Sequence, residues 1–118
     1  MGLEEMISAV KRHPDFARVG MILCHQGVVR GHSRSGVPVR GVTVTVDRGR
    51  LEETVKRVKA LPGIVEVMAH VREGYLAVGE DVMYVVVAGD YRENCFAALR
   101  EAVETIKAHV TSKEEHPR

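Results

Sequence analysis

The sequence predicts an α+β domain, helices packed on a mostly antiparallel sheet, in the order helix, strand, strand, helix, strand, strand, helix (αββαββα). Three observations carry this. Val42-Thr-Val-Thr-Val46 alternates strictly, and Ile64 to Arg72 alternates again, with Val65, Val67, Ala69 and Val71 on one side. Such a period of two turns one strand face toward a core. In the last quarter, Phe96, Leu99, Val103, Ile106 and Val110 recur in steps of three and four, which line one face of a helix.

The remaining elements fall between these. Leu3, Met6, Ile7 and Val10 predict a short amphipathic helix, stopped by His13-Pro14 because the residue before a proline is driven out of the helical region. Val19 to Val29 is almost continuously apolar and reads as a buried strand. Gly31 to Pro38, rich in Gly, Ser and Arg, reads as a loop. Leu51, Val55, Val58 and Leu61 predict a second helix, supported by Glu52–Lys56 and Glu53–Arg57 pairs four apart and ended by Pro62-Gly63. Gly74 and Gly79 bracket a turn, and Val82 to Ala88 is the most apolar strand. The final helix starts near Asp90 and Glu93, which have capping-pair spacing. Residues 114–118 read as a frayed tail. There is no internal repeat or linker, so the 118 residues form a single domain, 1–118.

Composition narrows the function classes. No apolar run approaches the ~20 residues that span a bilayer, and Glu4 and Glu5 in the first helix argue against a secretory signal. A cytoplasmic protein is expected. The net charge of +1 gives no general reason to seek nucleic acid. Charge is uneven, however: Gly27 to Arg50 holds Arg30, Arg34, Arg40, Arg48 and Arg50 against Asp47 alone. Such a surface suits a phosphate-bearing small molecule or an acidic partner, and a solvated basic loop accounts for it equally well. Cys24 and Cys95 lack metal-ligand or redox spacing and read as plain buried or half-buried thiols. Six histidines without HxxxH or HExxH spacing predict no metal site.

Four segments in register then suggest a family: Gly27-Val-Val-Arg30-Gly-His32-Ser, Gly74-Tyr-Leu-Ala-Val-Gly79-Glu-Asp-Val, Val85-Val-Val-Ala-Gly, and the helix carrying Arg92, Phe96, Lys107 and Lys113. Over roughly Val19 to Glu115 the chain resembles the large, catalytic subunit of molybdopterin synthase, the MoaE family. The resemblance implies an α/β-hammerhead fold and a homodimer. It implies a small ubiquitin-like sulfur-carrier partner, of the MoaD type, whose C-terminal thiocarboxylate enters the active site, in a heterotetramer overall. Sulfur passes to cyclic pyranopterin monophosphate, and no bound cofactor is needed because the carrier brings the sulfur. Lys107 matches the family's principal catalytic lysine and Lys113 its second. Arg92 and Arg30 match substrate-contacting arginines. Tyr91 stands where the family has a histidine, and with His32 it is placed among the substrate-binding residues. On their own, His32, Arg34 and Arg40 read as solvated loop residues.

The chemistry is consistent with these residue types. Arginine's planar fork pairs with phosphate bidentately. A lysine can trade protons with sulfur or oxygen if burial or a neighbouring cation lowers its pKa, and Lys107 with Lys113 nearby provides that setting. On its helix alone Lys107 reads more readily as a helix-end lysine favoured by the dipole, and the four-motif resemblance reverses that preference. Two rival functions remain. Tyr91, and the Ala-His-Val-Thr-Ser segment between the lysines where the family has aromatic and proline residues, suit a catalytically impaired regulatory or scaffold relative. The element order also permits a ferredoxin-like module binding a small ligand or RNA, although five aromatics without a paired-strand motif argue against RNA.

Overall fold

A computed structural model describes all 118 residues. Helix α1 (Leu3–Lys11) leads through a 3₁₀ turn (Phe16–Arg18) to β1 (Met21–Val28), β2 (Val39–Val46), α2 (Arg48–Lys59), β3 (Ile64–Val71), β4 (Gly74–Ala77), β5 (Asp81–Gly89) and α3 (Arg92–Thr105). A π-helical turn (Ile106–Val110) then delivers the chain into β6 (Thr111–Pro117). The class is the α+β arrangement read from the sequence, with antiparallel pairing throughout. The strands, however, form two sheets instead of one, ordered β1-β5-β3 and β4-β2-β6. The molecule is correspondingly long, 48 × 24 × 24 Å.

Two corrections explain the second sheet. The segment after Gly74 is not only a turn: it pairs as β4 with β2, Leu76 opposite Val42. The tail is not frayed: Lys113 to Pro117 runs antiparallel to β2, with Lys113 opposite Val44 and Glu115 opposite Val42. Polar composition hid this strand because its side chains are mostly exposed. What recruits it is the backbone of β2, whose inward residues Val42, Val44 and Val46 are buried and whose second edge would otherwise be unpaired.

Strand β5 is central to the first sheet and supplies both cores. Val85 and Val87 face α2 and α3, packing with Val58, Ala98 and Ala102, while Val86 and Ala88 face Met6 and Val10 of α1. Every residue from Val82 to Gly89 except Tyr84 is buried, which accounts for its reading as the most apolar strand. Helix α3 is anchored at its start by Asp90. Its carboxylate accepts hydrogen bonds from the Asn94 amide (2.9 Å) and the Tyr91 N–H (2.6 Å), and the Asn94 bond first, then the Tyr91 N–H, lowers its pKa. Glu93 does not complete a capping pair and lies beside Arg92 instead. Gly63, at φ +77°, passes so close to Asp90 and Asn94 that a Cβ there would collide with both side chains.

The buried face of α3 is also rotated from the expected stripe. Cys95, Ala98 and Ala102 point inward, and Phe96 is 55% exposed. Small residues let the helix lie close on the sheet, so the large side chains are displaced to its flanks. Cys95 is fully buried as expected, but Cys24, on the edge strand β1, is exposed. No helix is long and apolar enough to cross a membrane, and no cluster of His, Cys, Asp or Glu is arranged to hold a metal ion.

Replacing Ile106, fully buried in the π-turn, by alanine is expected to destabilise the fold by about 2–5 kcal/mol. Replacing exposed Phe96 by alanine should change stability by no more than about 0.5 kcal/mol. Urea denaturation of both variants checks the rotated face: equal losses would return Phe96 to the core.

Candidate functional site

A groove of about 470 Å³ lies where the two sheets meet, lined by Arg30, His32, Arg34, Lys107, Lys113 and Glu115 over a floor that includes Val29, Val42 and Val82. The cations arrive from three segments: the loop after β1 (Arg30, Arg34), the π-turn (Lys107) and β6 (Lys113). Arg30 follows directly on β1, where Val29 is pinned by exchanging backbone hydrogen bonds with Glu80 (2.9 Å) and Gly79 (2.9 Å). Its Nε donates to the His32 carbonyl at 3.0 Å, so the guanidinium is tethered at one nitrogen and retains donors for a ligand. His32 is held by a bridge to Pro38 that closes the loop on itself.

Lys107 and Lys113 are placed by the π-turn and β6. Ile106 and Val110 are both buried, which fixes the turn at two points and leaves Lys107 exposed between them. The Val110 carbonyl accepts from Asp47 N–H at 2.8 Å, and Thr111 Oγ1 donates back to the Ile106 carbonyl at 3.2 Å. Two residues further on, Lys113 lies along β2.

The groove is electrostatically unbalanced. None of Arg30, Arg34, Lys107 and Lys113 forms an ion pair, although seven such pairs occur elsewhere in the chain. Partial desolvation, then Lys107 and Arg30, lower the Lys113 pKa, with Glu115 acting weakly in the opposite direction. Lys113 keeps much of its surface in solvent, so the loss of hydration is incomplete. A lysine pushed this way is closer to the neutral amine that can accept a proton. Four convergent, unpaired cations form a seat for an anion such as a phosphate.

Of the site residues expected from the sequence, Arg30, His32, Lys107 and Lys113 come together here. Arg34, read as a solvated loop residue, lines the groove as well, whereas Arg40 remains outside it. Tyr91 and Arg92 are elsewhere, around a shallow depression with Gly20, Met21 and Phe96 at the start of α3. Lys107 follows Arg92 by fifteen positions along the helix, about 22 Å at about 1.5 Å each. One residue escaped the sequence reading: His25, a half-buried imidazole of β1 whose Nε2 is buried without a hydrogen-bond partner. Burial first, then Lys107 and Lys113, lower its pKa. The available signal was a lone ionisable residue inside the apolar run Val19–Val29.

The fold has counterparts among solved structures. Structurally the chain is similar to molybdopterin synthase from Staphylococcus aureus (TM-score 0.81, 18% identity), which it matches over 100% of its own length and 86% of that chain. It is similar to the molybdopterin biosynthesis MoaE protein from Burkholderia ambifaria MC40-6 (0.76, 20%, 100% and 81%). It is also similar to a chain from the complex of subunits 1 and 2 of molybdopterin-converting factor from Helicobacter pylori 26695 (0.72, 17%, 98% and 78%). By sequence, no curated protein matches it significantly. The family model described as MoaE protein matches residues 2–109, nearly the whole chain; the chain belongs to the MoaE family, that of the catalytic subunit of molybdopterin synthase.

Proposed function

We propose that this protein is the sulfur-transferring subunit of a molybdopterin synthase. It would take sulfur from the thiocarboxylated C-terminus of a small ubiquitin-like carrier and deliver it to cyclic pyranopterin monophosphate. The observation that carries the reading is the convergence of Arg30, Lys107 and Lys113, from three separate segments, on one groove with no carboxylate paired to any of them. Placing sulfur on a phosphorylated pterin requires a cationic seat for the phosphate. It also requires positive charge where a carbonyl oxyanion develops and a group that exchanges a proton with sulfur or oxygen. Arg30, tethered and still rich in donors, suits the first task. Lys107 and Lys113 suit the others, and such preorganised charge acts most strongly where water is partly excluded. Membership of the family supports a carrier of the MoaD type, as does the likeness to a chain solved as a complex of two converting-factor subunits. The deciding experiment is a synthase assay with thiocarboxylated carrier and cyclic pyranopterin monophosphate; no dithiolene product would end the reading.

Within that assay, Lys107→Ala is expected to lower turnover by orders of magnitude while the circular dichroism spectrum stays unchanged. The side chain is exposed, so its truncation opens no cavity. Wild-type turnover would remove Lys107 from the chemistry.

Arg30→Ala should act on binding. Loss of a charged hydrogen bond to phosphate is expected to weaken affinity by about 1.5–3 kcal/mol, read by titrating the pterin phosphate. Unchanged affinity would return Arg30 to the role of a loop residue.

Arg92 is assigned to the same reaction through a two-fold dimer, because about 22 Å of helix is too far for one pterin phosphate to bridge. Tyr91, Arg92 and Phe96 are exposed around one depression and would face a mate. Inactive Arg92→Ala and Lys107→Ala subunits, mixed and allowed to exchange, should then recover part of the activity, because some mixed dimers hold one intact composite site. Verified heterodimers with no recovery would count against the shared site.

A further inference from the structure

We propose that Arg34 is a second substrate-binding arginine: with Arg30 it clamps the phosphate of the pterin substrate, and the closed Gly31–Pro38 hairpin carries it to the groove. The proposal rests on the sulfur-transfer reading of the groove and adds to it a residue that reads as an ordinary loop arginine in the sequence.

Arg34 and Arg30 line the same cavity of about 470 Å³. The segment that carries Arg34 is a closed hairpin, held at several points by its own hydrogen bonds. His32 and Pro38 form a bridge, and the Val39 N–H donates to the Gly31 carbonyl at 3.0 Å. At the tip, the Gly36 N–H donates to the Ser33 carbonyl (2.9 Å) and the Ser33 N–H to the Val37 carbonyl (2.8 Å). The Ser33 hydroxyl oxygen accepts from the Val37 N–H at 3.0 Å and lies 3.0 Å from the Ser35 hydroxyl. Gly36, at φ +92°, takes the left-handed position that closes a three-residue hairpin loop. Arg34 is the residue after Ser33 in this turn. Its backbone is fixed from both sides while its side chain stays exposed.

Arg34 forms no ion pair within the chain. Its neighbours in the basic stretch differ: Arg48 and Arg50 pair with Glu73 and Asp47, and Arg40 lies outside the groove. The chemistry divides the four groove cations by type. Lysines can exchange a proton, so they belong where sulfur is transferred. The two arginines are left for the phosphate, which their planar forks suit. Arg30 spends its Nε on the His32 carbonyl, and a phosphate offers more acceptor positions than the rest of one guanidinium fills. A second guanidinium, four positions along and on the other side of His32, supplies further donors. Glu115 is the single carboxylate in the lining, so the groove stays cationic.

The test titrates the pterin phosphate against wild type, Arg34→Ala, Arg34→Lys and, as a control from the same basic stretch, Arg40→Ala. Arg34→Ala should weaken binding about tenfold at low salt. The loss should shrink as salt is raised, because the side chain is exposed. Arg34→Lys keeps the charge without the fork and should recover only part of the affinity. Arg40→Ala should bind as wild type does, and carrier affinity should be unchanged throughout. Wild-type affinity in Arg34→Ala, or an equal loss in Arg40→Ala, would overturn the proposal; so would weakened carrier binding with substrate binding intact. A second measurement does not depend on the reaction: inorganic phosphate is titrated against wild type and Arg34→Ala by NMR. It should shift the Arg30 and Arg34 side-chain signals of wild type, and the Arg30 response should weaken in Arg34→Ala. Arginine signals that do not move would equally overturn the proposal. Wild type that shows those shifts but yields no dithiolene product would sink the sulfur-transfer reading and leave the two-arginine phosphate clamp standing.

Discussion

The groove depends on the turn between α3 and β6. A helix that continued past Thr105 in α geometry would carry Lys113 away from the sheets. Instead the backbone widens over Ile106–Val110, both end residues enter the core, and the chain emerges as a strand beside β2. Wide helical turns of this kind are uncommon and are found frequently at functional sites. Here the turn is over-determined: two buried aliphatic side chains hold it from inside. From outside, Asp47 N–H bonds the Val110 carbonyl and the Arg50 guanidinium bonds the His109 carbonyl at 3.2 Å. Lys107 is thereby positioned by packing and by satisfied backbone groups, and its own side chain is not spent on structure.

That division of labour extends to the charges. Several cations outside the groove are paired: Arg48 with Glu73, Arg57 with Glu101 and Lys59 with Glu66. Exposed pairs of this kind contribute little to stability. In the groove Arg30, Arg34, Lys107 and Lys113 stay unpaired, and their mutual repulsion is tolerated because the loop after β1, the π-turn and β6 are each fixed by backbone hydrogen bonds. A bound anion would relieve the repulsion.

Much of the fold was legible because it follows from local periodicity. The alternation at Val42–Val46 and Ile64–Arg72, the proline after His13 and the Pro62-Gly63 stop each reflect the geometry of a few neighbouring residues. Where the reading failed, the deciding forces were non-local. Strand β6 is polar and exists because β2 offers it an unpaired edge; β4 exists for the same reason on the other side. Phe96 matched the stripe by spacing, yet Cys95, Ala98 and Ala102 are the residues small enough for close approach to β5. The site divides similarly. Arg30, Lys107 and Lys113 were recognisable as motif residues, whereas Arg34 was indistinguishable from any loop arginine until the loop closed over the groove.

The sequence by itself determined the class of the fold, its central apolar strand, its three helices and the membership of its basic residues in a recognisable set of motifs. Those properties lie in side-chain chemistry and short-range spacing. Only the tertiary structure decided that there are two sheets, that the polar tail is a strand, that Lys113 meets Lys107 and Arg30, and that an apolar run conceals an unpaired imidazole. The physical reason is that hydrogen-bond satisfaction and desolvation belong to the assembled chain. An edge strand needs a partner wherever one can be found, and a histidine acquires its character from burial and from the charges around it.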